Sequence, residues 1–313
     1  MLIAIVILVV AASAFAAVVA FNSPRPPPRM ASVENVFDRV DFSDMPAKTY
    51  FAARDGTQLA FRAYAGDPRR IAVLVHGSSG TSQSMHAVAR AIHARGCTVY
   101  ALAMRGHDGS GRSGDIDYVG QLDDDLADFM ATLGTRGMGT AVTLLGFSSG
   151  GGFVLRIAGG PNAKLFDRFI LVSPQLPHDA PTSRPNAGGW VSVALPRFIC
   201  LTILSRLGIK RFGGLRVLAL AVPPERYDEQ TAFYSFRMQR NFGPSDDFLG
   251  DLARAPAPVS LYIGADDEIF VAAQYAPLLK PVRPDLAIAT IPGLGHMDMT
   301  VKPAALEAIA GAF

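Results

Sequence analysis

Ser148 stands at the centre of Gly146-Phe147-Ser148-Ser149-Gly150, a G-x-S-x-G turn. An apolar strand-like run, Ala141 to Leu145, leads into it, and a helix-compatible run, Gly152 to Ala158, leads out. A serine hydroxyl becomes a useful nucleophile only when a base takes its proton and a carboxylate orients that base. A strained strand-to-helix turn would present the serine, and side chains at positions 146 and 150 would crowd the backbone there. The helix below would aim N–H groups at negative charge developing beside the serine. The chemistry implied is acyl transfer.

In a parallel sheet the base and the acid belong in loops at the carboxyl ends of later strands. After the run Val259 to Ile263 come Asp266, Asp267 and Glu268; after Leu286 to Ile291 comes Pro292-Gly293-Leu294-Gly295-His296. Ser148, an acid, then His296 is the chain order this architecture uses. Upstream, Ile71 to Val75 ends in His76-Gly77-Ser78-Ser79-Gly80, where glycines let the backbone approach an oxyanion. The N–H groups of Ser78 and Ser149 are the expected donors. His76 is expected to be structural, and His86 and His93 to be ordinary helix positions.

Other groups carry less. Gly109-Ser110-Gly111-Arg112-Ser113-Gly114 matches G-x-G-x-x-G, but no helix opens on it and it does not follow the first strand of a βαβ unit, so no dinucleotide is expected. Asp123, Asp124 and Asp125 are expected to form a solvated helix face. Cys97 and Cys200 are expected to be small buried apolar residues. No metal and no cofactor is expected. A net charge of +2 gives no reason to expect a nucleic-acid partner.

The elements that must position these groups alternate. A hairpin is expected over Thr49 to Ala53 and Gln58 to Tyr64 around Asp55-Gly56; helices over Ser82 to Arg95 and Val119 to Leu133; strands over Cys97 to Met104 and Arg168 to Val172. After the later strands come helices over Ala272 to Leu279 and Ala304 to Phe313. Such alternation argues a mostly parallel sheet covered on both faces. Between 175 and 254 it breaks, and apolar, helix-like pieces follow, notably Trp190 to Leu207 and Leu215 to Val222. That stretch is expected to be a mainly helical cap.

Leu2 to Phe21 holds no charged residue, and twenty helical residues span roughly 30 Å, the thickness of a bilayer's hydrocarbon. The sequence therefore predicts a single-pass anchor, with Arg25 and Arg29 placing the body in the cytoplasm. The alternative is export after cleavage at Ala14-Phe15-Ala16, but no Lys or Arg precedes the run. Asn22 to Met30 is expected to be a stiff proline-rich spacer that stands the body off the membrane.

His76-Gly77, Arg105-Gly106-His107, Gly146-Phe147-Ser148-Ser149-Gly150, Gly264-Ala265-Asp266-Asp267 and Gly295-His296 together resemble the α/β-hydrolase superfamily, in particular its monoacylglycerol lipase and serine aminopeptidase-like branch. The resemblance covers residues 48 to 313. It implies an α/β-hydrolase fold with an eight-stranded, mostly parallel sheet flanked by helices. With the readings above, the chain divides into an anchor or signal peptide at 1–21, spacer and lead-in at 22–47, core at 48–174 and 255–313, and a cap at 175–254. The resemblance selects Asp267 rather than Asp266, three residues after the glycine, giving Ser148, Asp267 and His296 as the catalytic set. Where the family loop reads R-G-H-G, Asp108 follows His107 here. The expected activity is hydrolysis of a small-molecule or lipid-derived carboxylic ester, with Phe198 and Leu201 on the cap as candidate substrate contacts. An amidase or peptidase, or a non-catalytic binding protein on the same fold, are the alternatives.

Overall fold

Short β-branched and apolar runs pair into an eight-stranded sheet in the computed structural model, which describes residues 2–134 and 139–313. In chain order, α1 (Leu2–Phe21) and the short α2 (Ala31–Glu34) precede the hairpin strands β1 (Thr49–Ala52) and β2 (Gln58–Tyr64). Then come β3 (Asp67–Val75), α3 (His86–His93), β4 (Cys97–Leu102), α4 (Gln121–Leu133), β5 (Ala141–Phe147), α5 (Ser149–Gly159) and β6 (Arg168–Val172). The cap region holds β7 (Val191–Val193), α6 (Leu195–Arg206), β8 (Arg216–Leu220), β9 (Phe233–Ser235), α7 (Phe236–Asn241) and α8 (Phe248–Arg254). The chain closes with β10 (Val259–Gly264), α9 (Tyr275–Leu279), β11 (Ala287–Ile291) and α10 (Pro303–Ala310).

The strand order is β1-β2-β4-β3-β5-β6-β10-β11, with β1 and β2 antiparallel to their neighbours and the remaining pairs parallel. Register decides which loops meet. Val75 lies opposite Gly146, so the loop after β3 meets the turn after β5. Gly264 lies opposite Ile291, which puts the Asp267 loop beside the His296 loop. Adjacent residues of β5 serve the two cores: Leu144 packs with Phe153 and Phe169 on one face, Leu145 with Ile92 and Ile309 on the other. That is the period-two pattern of a strand buried on both sides.

The cap is helical in α6, α7 and α8 but also holds a small sheet. β7, β8 and β9 form a three-stranded antiparallel sheet, and Leu215 to Val222 contains strand rather than helix. A short apolar run suits either a buried strand or a buried helix turn, and here cross-strand pairing decides it. The acidic face is also different from the expectation. Asp123 accepts two 2.9 Å bonds from Arg156, Asp124 pairs with Arg54, and Asp125 is buried against Arg105 at 2.8 Å.

The N-terminal segment lies on the body. Among the described residues no helix is long and apolar enough to cross a membrane. The last turns of α1 are committed elsewhere: α1 packs on α6, Val19 is buried, Phe15 packs on the core, and the Ala20 carbonyl accepts 2.9 Å from Arg197 Nη2. Leu2 to Ala14 alone extends about 20 Å, short of the roughly 30 Å required. The anchor expected from the sequence thus has no support as a spanning element. Nor does the spacer stand the body off: Pro24 is buried, Arg29 pairs with Glu225, and Met30 packs on the core.

Candidate active site

β5 ends at Phe147, and Ser148 turns sharply at φ +55° and ψ −121° before α5 begins. A non-glycine residue held at positive φ is strained, and the surroundings enforce it. A Cβ at position 146 would overlap the Gly150 carbonyl, and one at 150 would overlap the His76 carbonyl. Those two glycines let the elbow close against both its own helix and the loop after β3.

His296 Nε2 lies 3.0 Å from Ser148 Oγ, and His296 Nδ1 lies 2.8 Å from Asp267 Oδ2. A carboxylate can only accept, so His296 Nδ1 keeps its proton and donates it in a hydrogen bond to Asp267, and Nε2 is left to accept from the serine. Asp267 is buried, which by itself raises its pKa. The attraction of His296 when it is protonated and its hydrogen bond, with the N–H groups of Phe270 and Ile269, outweigh burial and hold the carboxyl below the usual range. Phe147 and Phe270 pack on the imidazole at 4.8 and 5.2 Å between centroids, and Glu268 accepts 2.9 Å from the His296 N–H. Asp266, by contrast, is exposed.

Among the described residues no acceptor is bonded to the N–H of Ser78 or of Ser149. Both flank Ser148, and the second opens α5, whose N-terminal end favours negative charge. The loop is held from behind. Met104 N–H donates 3.1 Å to His76 Nε2, so Nδ1 carries the proton and donates 2.8 Å to the Gly77 carbonyl. Ser79 N–H donates to the Tyr234 hydroxyl at 2.9 Å, which donates to His107 Nε2 at 2.6 Å. Burial lowers His76 to about 4 and, with His76 adjacent, keeps His107 well below its usual value, so both rings are neutral at pH 7.

The family model described as serine aminopeptidase, S33, matches residues 66–210. No curated protein sequence matches. Among solved structures, a soluble variant of monoglyceride lipase from Saccharomyces cerevisiae superposes with a TM-score of 0.63 at 15% identity, over 88% of this chain and 96% of that one. A monoacylglycerol lipase from Paleococcus ferrophilus gives 0.56 at 19%, over 82% and 99%. A membrane phospholipase A described as a bacterial virulence factor gives 0.57 at 16%, over 99% and 95%. The chain has the α/β-hydrolase fold, and residues 66–210 match a family model of that fold.

Two details bear on the expectations from the sequence. Asp108 occupies the glycine-like position after His107 at φ +52°, steadied by Lys48 and by Ser82, whose N–H and Oγ donate at 3.0 and 2.6 Å. The loop keeps its turn with an ion pair in place of glycine. Leu201 lines neither cavity at Ser148: with Arg197, one helical turn away, it shares the face of α6 pressed inward, and it is buried in the core. Phe198 does line a cavity that reaches Ser148, alongside Leu195, Val193, Leu218, Leu220 and Phe242. That cavity holds about 480 Å³.

A second, narrow cavity of about 60 Å³ lies over Ser148 and is lined by His296, Phe37, Arg226 and Gln230 among others. Trp190, whose indole donates 2.9 Å to Ser78 Oγ, borders both cavities. Tyr234 and Phe37 were not among the sequence candidates, and Trp190 entered only as part of the apolar cap run. A tryptophan whose indole N–H needs a partner when buried was the one available signal.

Proposed function

We propose that this α/β-hydrolase is a serine esterase acting on medium- or long-chain carboxylic esters. The observation that carries it is the continuous line of hydrogen bonds from Ser148 through His296 to Asp267, facing two uncommitted backbone N–H groups. Ser148 Oγ attacks the ester carbonyl while His296 Nε2 takes its proton. Asp267 holds the imidazole and stabilises its charge, and the N–H groups of Ser78 and Ser149 receive the oxyanion. Collapse expels the alcohol, which takes the proton back from His296. Water then hydrolyses the acyl-enzyme by the same route in reverse.

The 480 Å³ cavity supports the acyl-chain reading: its apolar lining would gain about 0.8 kcal/mol for each methylene buried. The lipase names among the structural neighbours agree with it. A lipid surface is the corresponding location. Among the described residues, nine exposed large apolar side chains lie on α1 and six on or beside α6, against three elsewhere. Arg206, Lys210 and Arg211, all exposed, border the α6 group and suit anionic head groups.

The test is a fluorophosphonate probe followed by an ester panel of graded acyl length. Labelling at Ser148 and a kcat/KM that rises from acetate to dodecanoate are expected. An unlabelled serine removes the catalytic reading; a preference for acetate removes the acyl-chain reading alone.

A further inference from the structure

The two cavities at Ser148 have different chemistry, and His296 tells which group enters which. The alcohol oxygen must leave within reach of His296, because that imidazole returns the proton. His296 lines the narrow cavity and is not among the residues lining the apolar one. The acyl chain therefore takes the apolar cavity, and the alcohol leaves through the narrow one.

Among the described residues lining that narrow cavity, Arg226 is the only Lys, Arg, Asp or Glu. Beyond it the passage opens into a polar chamber of about 670 Å³, and Phe37, Ser84, Arg226 and Gln230 border both spaces. The chamber's other cations are engaged. Lys48 pairs with Asp108, and Arg62 is buried with its Nε 3.2 Å from Ser82 Oγ and its Nη1 on the Pro46 carbonyl. Arg226 is held less. Its backbone is pinned by bonds from Glu229 and Gln230 to its carbonyl at 3.0 and 2.8 Å, while among the described residues its side chain has a single ion pair, Nε to Glu229 at 3.7 Å. Glu229 is largely exposed, and so is Asp228. The Nη donors of a guanidinium fork are thus available at the neck of the leaving-group passage, a geometry suited to a planar two-point contact with an anion.

We propose that Arg226 selects esters whose alcohol carries a phosphate or a carboxylate a few atoms from the ester oxygen. The inference rests on the esterase reading above and names the leaving-group class for that same site. Phe37, from the lead-in that precedes β1, lines the same passage, so a segment upstream of the family-matched residues helps shape this specificity.

Three substrates with one acyl chain test it: 1-lauroylglycerol, 1-lauroylglycerol 3-phosphate, and the lauroyl ester of 3-hydroxypropionate. In the wild-type protein either or both anionic esters should exceed the neutral one in kcat/KM by about tenfold or more, the scale of a charge-assisted contact. In Arg226→Gln that ratio should fall towards one, mostly through KM, and Arg226→Lys should restore part of it. Labelling of Ser148 by fluorophosphonate verifies that each variant is folded and its nucleophile active. The phosphate and carboxylate arms decide which anion is preferred. A wild-type ratio near one, or a ratio unchanged in a labelled Arg226→Gln protein, overturns the proposal. Absence of both labelling and turnover in the wild-type protein defeats the esterase reading, and this inference with it.

Discussion

The indole of Trp190 donates a 2.9 Å hydrogen bond to Ser78 Oγ, joining the cap to the loop whose N–H faces the nucleophile. The two residues stand 112 apart in the chain, and their bond sits where the apolar and narrow cavities meet. It fixes the side chain of Ser78, and with it the cap's position over Ser148. Trp190→Phe keeps the ring and loses the donor. A bond of this kind is worth about 1 kcal/mol, so kcat/KM should fall by about fivefold with little change in the urea midpoint. An unchanged kcat/KM would show that the oxyanion loop stands without the cap.

Ser148→Ala should abolish most esterase activity. Losses on the order of 10⁵–10⁶-fold in kcat are typical for removing such a nucleophile, with residual turnover from the oxyanion donors and binding. Stability should change by no more than about 1 kcal/mol, since a small buried side chain is shortened. Circular dichroism and turnover on one preparation check both; a folded variant with substantial activity rejects Ser148.

Asp267→Asn should lower kcat by about four orders of magnitude, because an amide favours the wrong imidazole tautomer. Asp266→Asn should change it by less than about twofold, since an exposed side chain away from such features has little effect. Steady-state kinetics of the pair decide the matter, and the opposite ranking would move the acid by one residue.

Acid should destabilise the fold before the carboxylates titrate. Burial depresses His76 from 6.5 to about 4 in the folded chain, so between those values the unfolded chain binds the extra proton. The stabilisation is complete above about pH 6.5 and is lost as pH falls towards 4. His107 and His86, both lowered chiefly by burial, act in the same direction. His76 alone should reduce the unfolding free energy by about 2 kcal/mol between pH 7 and pH 5. Urea melts across that range provide the check, and a flat profile contradicts neutral burial.

Ile199→Glu with Ile203→Glu should release the protein from anionic vesicles. Both side chains are about half exposed and neither lines a cavity at Ser148. Flotation with phosphatidylglycerol vesicles should show a loss of binding, while turnover of a short soluble ester continues. Equal flotation of the double variant and the parent would exclude this face of α6 as the lipid contact.

What could be known from the sequence was local or periodic. The elbow at Ser148 was legible because its G-x-S-x-G spacing lies within five residues; the structure places Gly146 against the Gly150 carbonyl inside that turn and Gly150 against the His76 carbonyl of the loop after β3. The parallel core was legible because each strand and helix carries its own period, and the order of the loops then brought Asp267 and His296 into consideration. The tertiary structure decided the rest. Only β-pairing turned Leu215 to Val222 into a strand, and only the rotation of α6 put Phe198 in the cavity and Leu201 in the core. Hydropathy predicted a spanning helix at Leu2 to Phe21 because it counts residues without knowing that the last turns dock on α6. Trp190, Tyr234 and Arg226 reach the site from a cap that no local pattern aims. Their positions depend on contacts between residues far apart in the chain, and those exist only once the sheet has set the register on which the cap rests.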